Sequence, residues 1–283
     1  MKLNLLAPLK NIIKKFFCKF LVWLSKRYIG SFIFNEISKN IWNQFKIVTY
    51  EGINYKFLAP NSLNIYRINT FESKEPETLE WLRSIPLNSV LWDVGANIGL
   101  YSIYAAMSRQ SRVFAFEPSV FNLEILARNI ILNGLQKNIC IIPIALNDRL
   151  SFNMFKMSNT EWGGALSTFE YNINQDGGPL KQVFEYQTIG MSIDDVCSML
   201  EIPLPEYLKI DVDGIEHLIL RGGLKILHSV TSVLIEINDN FKQQSQESTI
   251  ILQNAGFILH KKCYLGNQNQ YNQWWIRANQ IYY

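Results

Sequence analysis

Along the first thirty residues, apolar and basic positions interleave with a helical period. Set on a helix, Leu5, Leu9, Ile12, Ile13, Phe16, Phe17, Phe20 and Leu24 share one broad side, while Lys10, Lys14, Lys15, Lys19 and Lys26 take the other. The lysines interrupt every apolar run well short of the ~18 residues that a membrane span needs. No uninterrupted apolar core and no small-residue cleavage site suggest a secretory signal. Residues 1–45 therefore read as a basic, amphipathic helical arm. Two roles suit it: a helix packed on the body or on a partner subunit with its lysines in water, or an interfacial helix whose residues 1–30 lie on an anionic membrane surface.

From Lys46 onward the pattern changes. "KIVTYEGINYKFLAP" carries two β-rich runs around Glu51-Gly52, which predicts a hairpin. "EPETLEWLRSI" puts Pro76 and acids in a first helical turn. Short apolar strands are then predicted at 90–94, 113–117, 139–146, 207–212 and 232–237. Helical patterns lie at 101–109, 120–133 and from 214 to the break at Gly222-Gly223. Pro143 places the third of these strands at or near a sheet edge. This alternation implies right-handed crossovers and a mostly parallel, Rossmann-like α/β sheet with helices on both faces. "GFILHKKCYLG" and "NQWWIRAN" read as a closing antiparallel hairpin at the sheet edge. Residues 150–190 break the rhythm: "LSFNMFKM" and "KQVFEYQTI" alternate like solvent-facing strands around "WGGALS", a small inserted β lobe. Residues 46–283 thus form one domain behind the arm.

Charge sharpens that division. Residues 1–50 hold nine Lys or Arg against Glu36 alone, or +8, which leaves −5 of the net +3 for the remainder. An acidic body behind a basic arm is not the profile of a nucleic-acid-binding domain. Cys18, Cys140, Cys197 and Cys263 are scattered, without a Cys-x-x-Cys pair or a histidine at metal spacing. They suggest a reducing, cytoplasmic chain without a disulfide and without a Cys/His metal site, while Asp211, Glu236 and Asn238 leave open an oxygen-rich set that would suit Mg²⁺.

Candidate chemistry gathers where strands end, because ligands of open α/β sheets bind there. The residues at those ends are Asp93, Glu117, Ala145-Leu146, Asp211 and Glu236. In "LWDVGANIGLYS", Gly95 permits a sharp turn, Gly99 a close approach, and Asn97 tolerates a left-handed backbone. The helix that follows offers free N–H groups to a ligand. A dinucleotide fingerprint would need glycine at 97 and 100, where Asn97 and Leu100 stand. Glu117 could accept hydrogen bonds from two ribose hydroxyls, a use common to nicotinamide and S-adenosylmethionine sites. In "YLKIDVDGIEH", Asp211, Asp213 and Glu216 cluster. Three acids would repel a phosphate-rich ligand and favour a sulfonium cation, a metal, or a hydroxyl that must lose a proton.

"DVGANIGLYS", "FEPSVFNLEILARNIILNG", "ALNDR", "GGALS", "SIDDV" and "YLKIDVDGIEHLILRGG" occur in an order and spacing that resemble the FkbM-type S-adenosylmethionine-dependent methyltransferases, over roughly residues 47–280. The resemblance implies a seven-stranded class I methyltransferase sheet. It implies that Asp93, Gly95, Asn97 and Gly99 line the methionine part of the cofactor, with Asp211 at the same edge, Glu117 on the ribose and Ala145 and Leu146 flanking the adenine. The implied reaction is methyl transfer to a hydroxyl of a sugar, glycan or natural product. Asp211, Asp213, Glu216 and His217 are candidates to take the acceptor proton, Asp211 or Asp213 first. Asp213 stands where the family more often has Glu. Trp162, Gly163 and Gly164 could cap the acceptor site or plug the space beneath the lobe, and Ser192 with Asp195 reads as a helix capping box. The competing functions are a nicotinamide-dependent oxidoreductase, which Leu100 disfavours, and a non-catalytic cofactor-binding interaction protein, which the acidic cluster disfavours.

Overall fold

The basic amphipathic segment forms two helices, α1 (Leu6–Ser25) and α2 (Tyr28–Ile41). The computed structural model describes residues 6–264, 266 and 269–278, with side chains from Ile13 onward. The chain divides into two units, Met1–Phe45 and Lys46–Tyr283. In the first unit, buried Gly30 brings α2 against α1, since a Cβ there would fall 1.8 Å from the Leu24 carbonyl oxygen. Ile13, Phe16, Phe17, Phe20 and Trp23 are exposed, as are Lys14, Lys15, Lys19 and Lys26. The side chains of Leu5, Leu9, Lys10 and Ile12 lie outside the described residues. No helix among the described residues is long and apolar enough to cross a membrane.

The second unit opens with the predicted hairpin, β1 (Phe45–Tyr50) and β2 (Ile53–Leu58), turning through Glu51 and Gly52, both at positive φ. Helix α3 (Ser62–Asn69) follows, capped by Asn61, whose side chain accepts from the Asn64 N–H at 2.8 Å. Helix α4 (Pro76–Ser84) starts on its proline. The alternating core then runs β3 (Val90–Val94), α5 (Leu100–Ser108), β4 (Arg112–Phe116), α6 (Val120–Leu132) and β5 (Ile139–Ile142). It continues through the lobe strands β6 (Ala145–Leu146), β7 (Ser151–Met157), β8 (Ser167–Phe169) and β9 (Phe184–Met191). Last come α7 (Ile193–Met199), β10 (Tyr207–Ile210), α8 (Glu216–Arg221), β11 (Ser232–Asn238), α9 (Lys242–Asn254), β12 (Phe257–Tyr264) and β13 (Gln270–Arg277).

Seven strands make one sheet in the order β12-β13-β11-β10-β3-β4-β5. The five central and right-hand strands are parallel; β13 runs antiparallel to both β11 and β12, as the closing hairpin requires. Period-two alternation sends side chains to two cores. Trp92, Val94, Phe114 and Phe116 enter the core that holds Ile219 and Leu252, whereas Leu91, Val113 and Ala115 enter the one with Tyr104 and Leu126. Both faces are buried, which is why these strands read as continuous apolar runs.

One predicted strand is corrected. Residues 139–146 do not form a single strand: β5 closes the edge of the main sheet, and after Pro143, which has no N–H to give, β6 crosses into the lobe and pairs in parallel with β9. The lobe sheet, ordered β6-β9-β7-β8, therefore reaches back beyond residue 150. The capping box at Ser192 and Asp195 starts α7.

Candidate active site

Chain order reverses between β3 and β10, so the crevice beyond their carboxyl ends is the switch point of the sheet. There the backbone turns through Gly95 (φ +83°), Asn97 (φ +51°) and Gly99 (φ +84°). A Cβ on Gly95 would fall 1.9 Å from the Asp211 carbonyl oxygen, so only glycine lets the two strand ends come this close. The Gly95 and Ala96 N–H groups both donate to the Phe116 carbonyl at 3.0 Å, fastening the turn to β4.

Beside this turn, one hollow is walled by Lys74, Asp93, Gly95, Tyr101, Lys209 and Asp211. Asp93 is 1% exposed; its Oδ2 accepts from the Ser102 hydroxyl at 2.6 Å, and its buried Oδ1 has no hydrogen-bond partner among the described residues. An orphaned buried acceptor costs about 1–3 kcal/mol, which a ligand donor would relieve. Burial raises the Asp93 pKa, with Lys209 and the Ser102 hydroxyl opposing it. Lys209, 3% exposed in the middle of β10, donates to Asp211 Oδ2 at 2.9 Å and lies 5.3 Å from the Tyr101 ring centroid. Burial alone would discharge this lysine, but Asp211, Asp93 and Glu75 together lift its pKa. Burial likewise opposes ionisation of Asp211, yet Lys209 and then Lys74 hold its carboxyl below the ordinary range.

Behind the turn, Glu117 ends β4. Its Oε2 accepts the Asn97 N–H at 2.7 Å, and its Oε1 the Ser119 N–H at 2.8 Å and the Asn122 amide at 3.5 Å, which leaves Oε2 a further lone pair. Burial pushes this carboxyl up to about 7 against those hydrogen bonds. Beyond it lies an apolar slot between Phe116, Ile144, Ala145, Leu146, Phe155 and Val212.

The lobe crosses over the turn. The Gly164 carbonyl accepts the Asn97 amide at 2.7 Å and the Asn122 amide at 3.0 Å, and the Gly163 N–H donates to Asn122 Oδ1 at 3.0 Å. From the other side, Arg67 Nε donates to the Gly163 carbonyl at 2.7 Å, and Asn64 donates to that of Trp162 at 2.8 Å. The Leu166 N–H reaches Asp213 Oδ2 at 2.6 Å. Under this crossing a second hollow of about 290 Å³ shares Arg67, Lys74, Glu75, Gly95, Asn97 and Asp211 with the first, and is lined further by Tyr66, Leu166, Asp213, Glu236 and Gln270. Burial, then Asp211, pushes the Asp213 carboxyl up to about 6.

The fold thus gathers Asp93, Gly95, Asn97, Glu117, Asp211 and Asp213 around one turn, with Ala145 and Leu146 in the adjoining slot. Gly99 packs on Leu126, where a Cβ would meet Cδ1 at 2.5 Å, and lines none of these hollows. The side chain of Asn97 is spent: its amide goes to Gly164 and its oxygen accepts the Ile98 N–H. Glu216 and His217 line none of these hollows. Buried Glu216 turns inward to accept the Val212 and Gly214 N–H groups and the Gln244 amide, holding the turn above it. His217 is buried edge-on to Phe241 at 5.6 Å, and burial lowers its pKa. Sequence reasoning missed Arg67, Lys74 and Glu75, which belong to no motif. It also missed Lys209, whose signal was a lone lysine inside an apolar strand.

A parallel sheet whose chain order reverses above a glycine-bearing turn, with two buried strand-end acids and an apolar slot at that point, is the architecture of a class I, S-adenosylmethionine-dependent methyltransferase. The chain belongs to the FkbM methyltransferases: residues 93–259 match the Methyltransferase FkbM domain. Among curated relatives, it is 27% identical over 194 residues to the hexuronic acid methyltransferase AglP of Haloferax volcanii, across 68% of this chain and 74% of that one. It is 40% identical over 53 residues to the methyltransferase sdnD of Sordaria araneosa, across 18% and 20%. Among solved structures, methyltransferase FkbM of Methylobacillus flagellatus is 13% identical with a TM-score of 0.46, across 76% of this chain and 55% of that one. The nicotinamide reading falls with this assignment. S-adenosylmethionine, which supplies a methyl group on positively charged sulfur, is the cofactor, and the unpaired Asp93 oxygen and the acid-walled hollow fit its cations.

Proposed function

We propose that this chain transfers the cofactor methyl group to a hydroxyl of a sugar or similarly hydroxylated acceptor held in the hollow under the lobe. The observation that carries this reading is that this polar hollow shares Gly95 and Asp211 with the cofactor hollow, so donor and acceptor would meet at one wall. In this reading Asp93 takes the cofactor ammonium, Glu117 its ribose hydroxyls, and Ala145 and Leu146 flank its adenine. Asp211, kept ionised by Lys209, orients the acceptor hydroxyl, and Asp213 holds the lobe through Leu166. A relative named for hexuronic acid supports a sugar acceptor. The test is transfer of labelled methyl to neutral and uronic-acid glycans, followed by mild base. Base-stable label on the glycan is the expected ether. Label that base releases as methanol marks an ester and would overturn the hydroxyl reading.

The arm adds a location. We infer that α1 rests on an anionic lipid surface, because exposed Phe16, Phe17, Phe20 and Trp23 interleave with exposed Lys14, Lys15 and Lys19. Full-length chain should co-sediment with phosphatidylglycerol vesicles and lose that binding when Lys14, Lys15 and Lys19 become Glu. Equal sedimentation of both forms would exclude it.

A further inference from the structure

Glu236 is a carboxyl that the proposed roles above leave unused. It follows the Ile210–Ile235 pair at the end of β11, so it stands beside Asp211 at the strand ends and lines the acceptor hollow. It is 9% exposed. The Gln270 amide donates to its Oε1, while Oε2 has no hydrogen bond among the described residues and stays open to the hollow. Asp211 after the end of β10, Asp213 from the following turn, Glu216 from α8 and Glu75 from the start of α4 present negative charge to it, Arg67 and Lys74 line the same hollow, and β13 beside it presents the neutral Gln270 and Asn272. Burial first, then those four acids, lift its pKa well above the ordinary value. Asp211, by contrast, is held ionised by Lys209, which makes it a weak proton acceptor.

We propose that Glu236 is the residue that takes the acceptor proton, and that its charge follows the charge of the bound cofactor. The inference rests on the methyl-transfer reading above. The bound cofactor would add one positive charge to this acid-rich neighbourhood before transfer, and that charge is gone afterwards. With the sulfonium present, the carboxylate is favoured and Glu236 is ready to accept. As the acceptor oxygen forms its bond to the methyl carbon, the carbon–sulfur bond breaks with its electron pair left on sulfur, and the acceptor O–H proton passes to Glu236 Oε2. The pair formed by Glu236 and the cofactor sulfur is neutral overall before the step (one negative, one positive) and after it (both neutral). No net charge is created in the buried hollow, and the proton later leaves to water.

The experiment is calorimetric titration of the full chain near neutral pH with S-adenosylmethionine and, separately, with S-adenosylhomocysteine, in two buffers of different ionisation enthalpy. The methylated cofactor should release more protons than the product, by up to about one per site. Glu236→Gln should abolish that difference while leaving the S-adenosylhomocysteine affinity unchanged, which shows the variant is folded. Its kcat should fall by about 10²–10⁴-fold with the acceptor KM retained. A difference that survives in Glu236→Gln and vanishes in Asp213→Asn would overturn the proposal, as would a wild-type kcat in Glu236→Gln. The binding arms contain no acceptor, so a wrong acceptor class would leave them intact and show only in the base-stability test.

Discussion

The cofactor end of the crevice is made by backbone, and the acceptor end by side chains. Asp93 and Glu117 sit at strand ends, each fixed by neighbours within about thirty residues: Ser102 for the first, Asn97 and Ser119 for the second. Both hollows take Arg67 from α3 and Lys74 and Glu75 from the segment that leads into α4. The proposed acceptor hollow adds Leu166 from the lobe, Asp213 from the turn after β10, Glu236 from β11 and Gln270 from β13. What the second end adds therefore depends on how the lobe and β13 dock on the sheet. A site of this kind can hold its cofactor seat fixed while the acceptor seat is remade by changes in distant segments.

That contrast can be broken in three places. The largest effect should come from Gly95→Ala, because the new Cβ would force β3 and β10 apart at their ends. S-adenosylhomocysteine affinity should drop by ~100-fold or more, equivalent to about 2.7 kcal/mol. Titration calorimetry reads this, and an unchanged affinity would show that the strand ends need not approach so closely.

Glu216→Gln probes the support beneath both ends. The Glu216 carboxyl lies at about 7 against an ordinary 4.5. Between those values the folded chain holds a proton that the unfolded chain has released, so this group makes stability fall as pH rises from about 4.5 to about 7. Glu117, also raised to about 7, acts with the same sign, while Asp211, whose pKa is depressed, stabilises above its unfolded value and loses that contribution in acid. Removing the Glu216 charge should flatten the slope by about 2–3 kcal/mol over that window. Melting temperatures at about pH 5 and pH 8 decide it: the variant should gain most at the higher pH.

The smallest expected effect belongs to Arg67→Ala. It removes the hydrogen bond to Gly163 and one wall of the acceptor hollow. The acceptor KM should rise about tenfold, near 1.4 kcal/mol, and cofactor affinity should fall by less, because Arg67 lines both hollows. A fall in cofactor affinity as large as the rise in acceptor KM would mean that the two ends are not separable.

What could be read from the residues follows the same division. β3, β4, β10 and β11 were legible because apolar runs ending in acids mark buried parallel strands, and the turn was legible because Gly95 and Asn97 occupy conformations that few residues tolerate. The bounds of β5 were not, since Pro143 marks an edge without saying that the chain then changes sheets. Glu216 stood behind Asp211 and Asp213 as a candidate in "DVDGIEH"; spacing alone does not show that α8 begins at Glu216 and turns its carboxylate back onto the Val212 and Gly214 N–H groups. Arg67, Lys74 and Gln270 carry no local pattern at all. Their meaning comes only from the sheet order that sets β13 beside β11 and from the lobe carbonyl that Arg67 meets.

Because β6 crosses from the edge of one sheet into the other, Ala145 and Leu146 belong to the lobe although they wall the slot beneath Glu117. A chimera that exchanges lobes to alter acceptor choice would carry part of the slot proposed for the adenine with it. Breakpoints for such grafts belong ahead of Pro143 and after Met191; a cut at residue 150 would splice two unrelated seats into one slot.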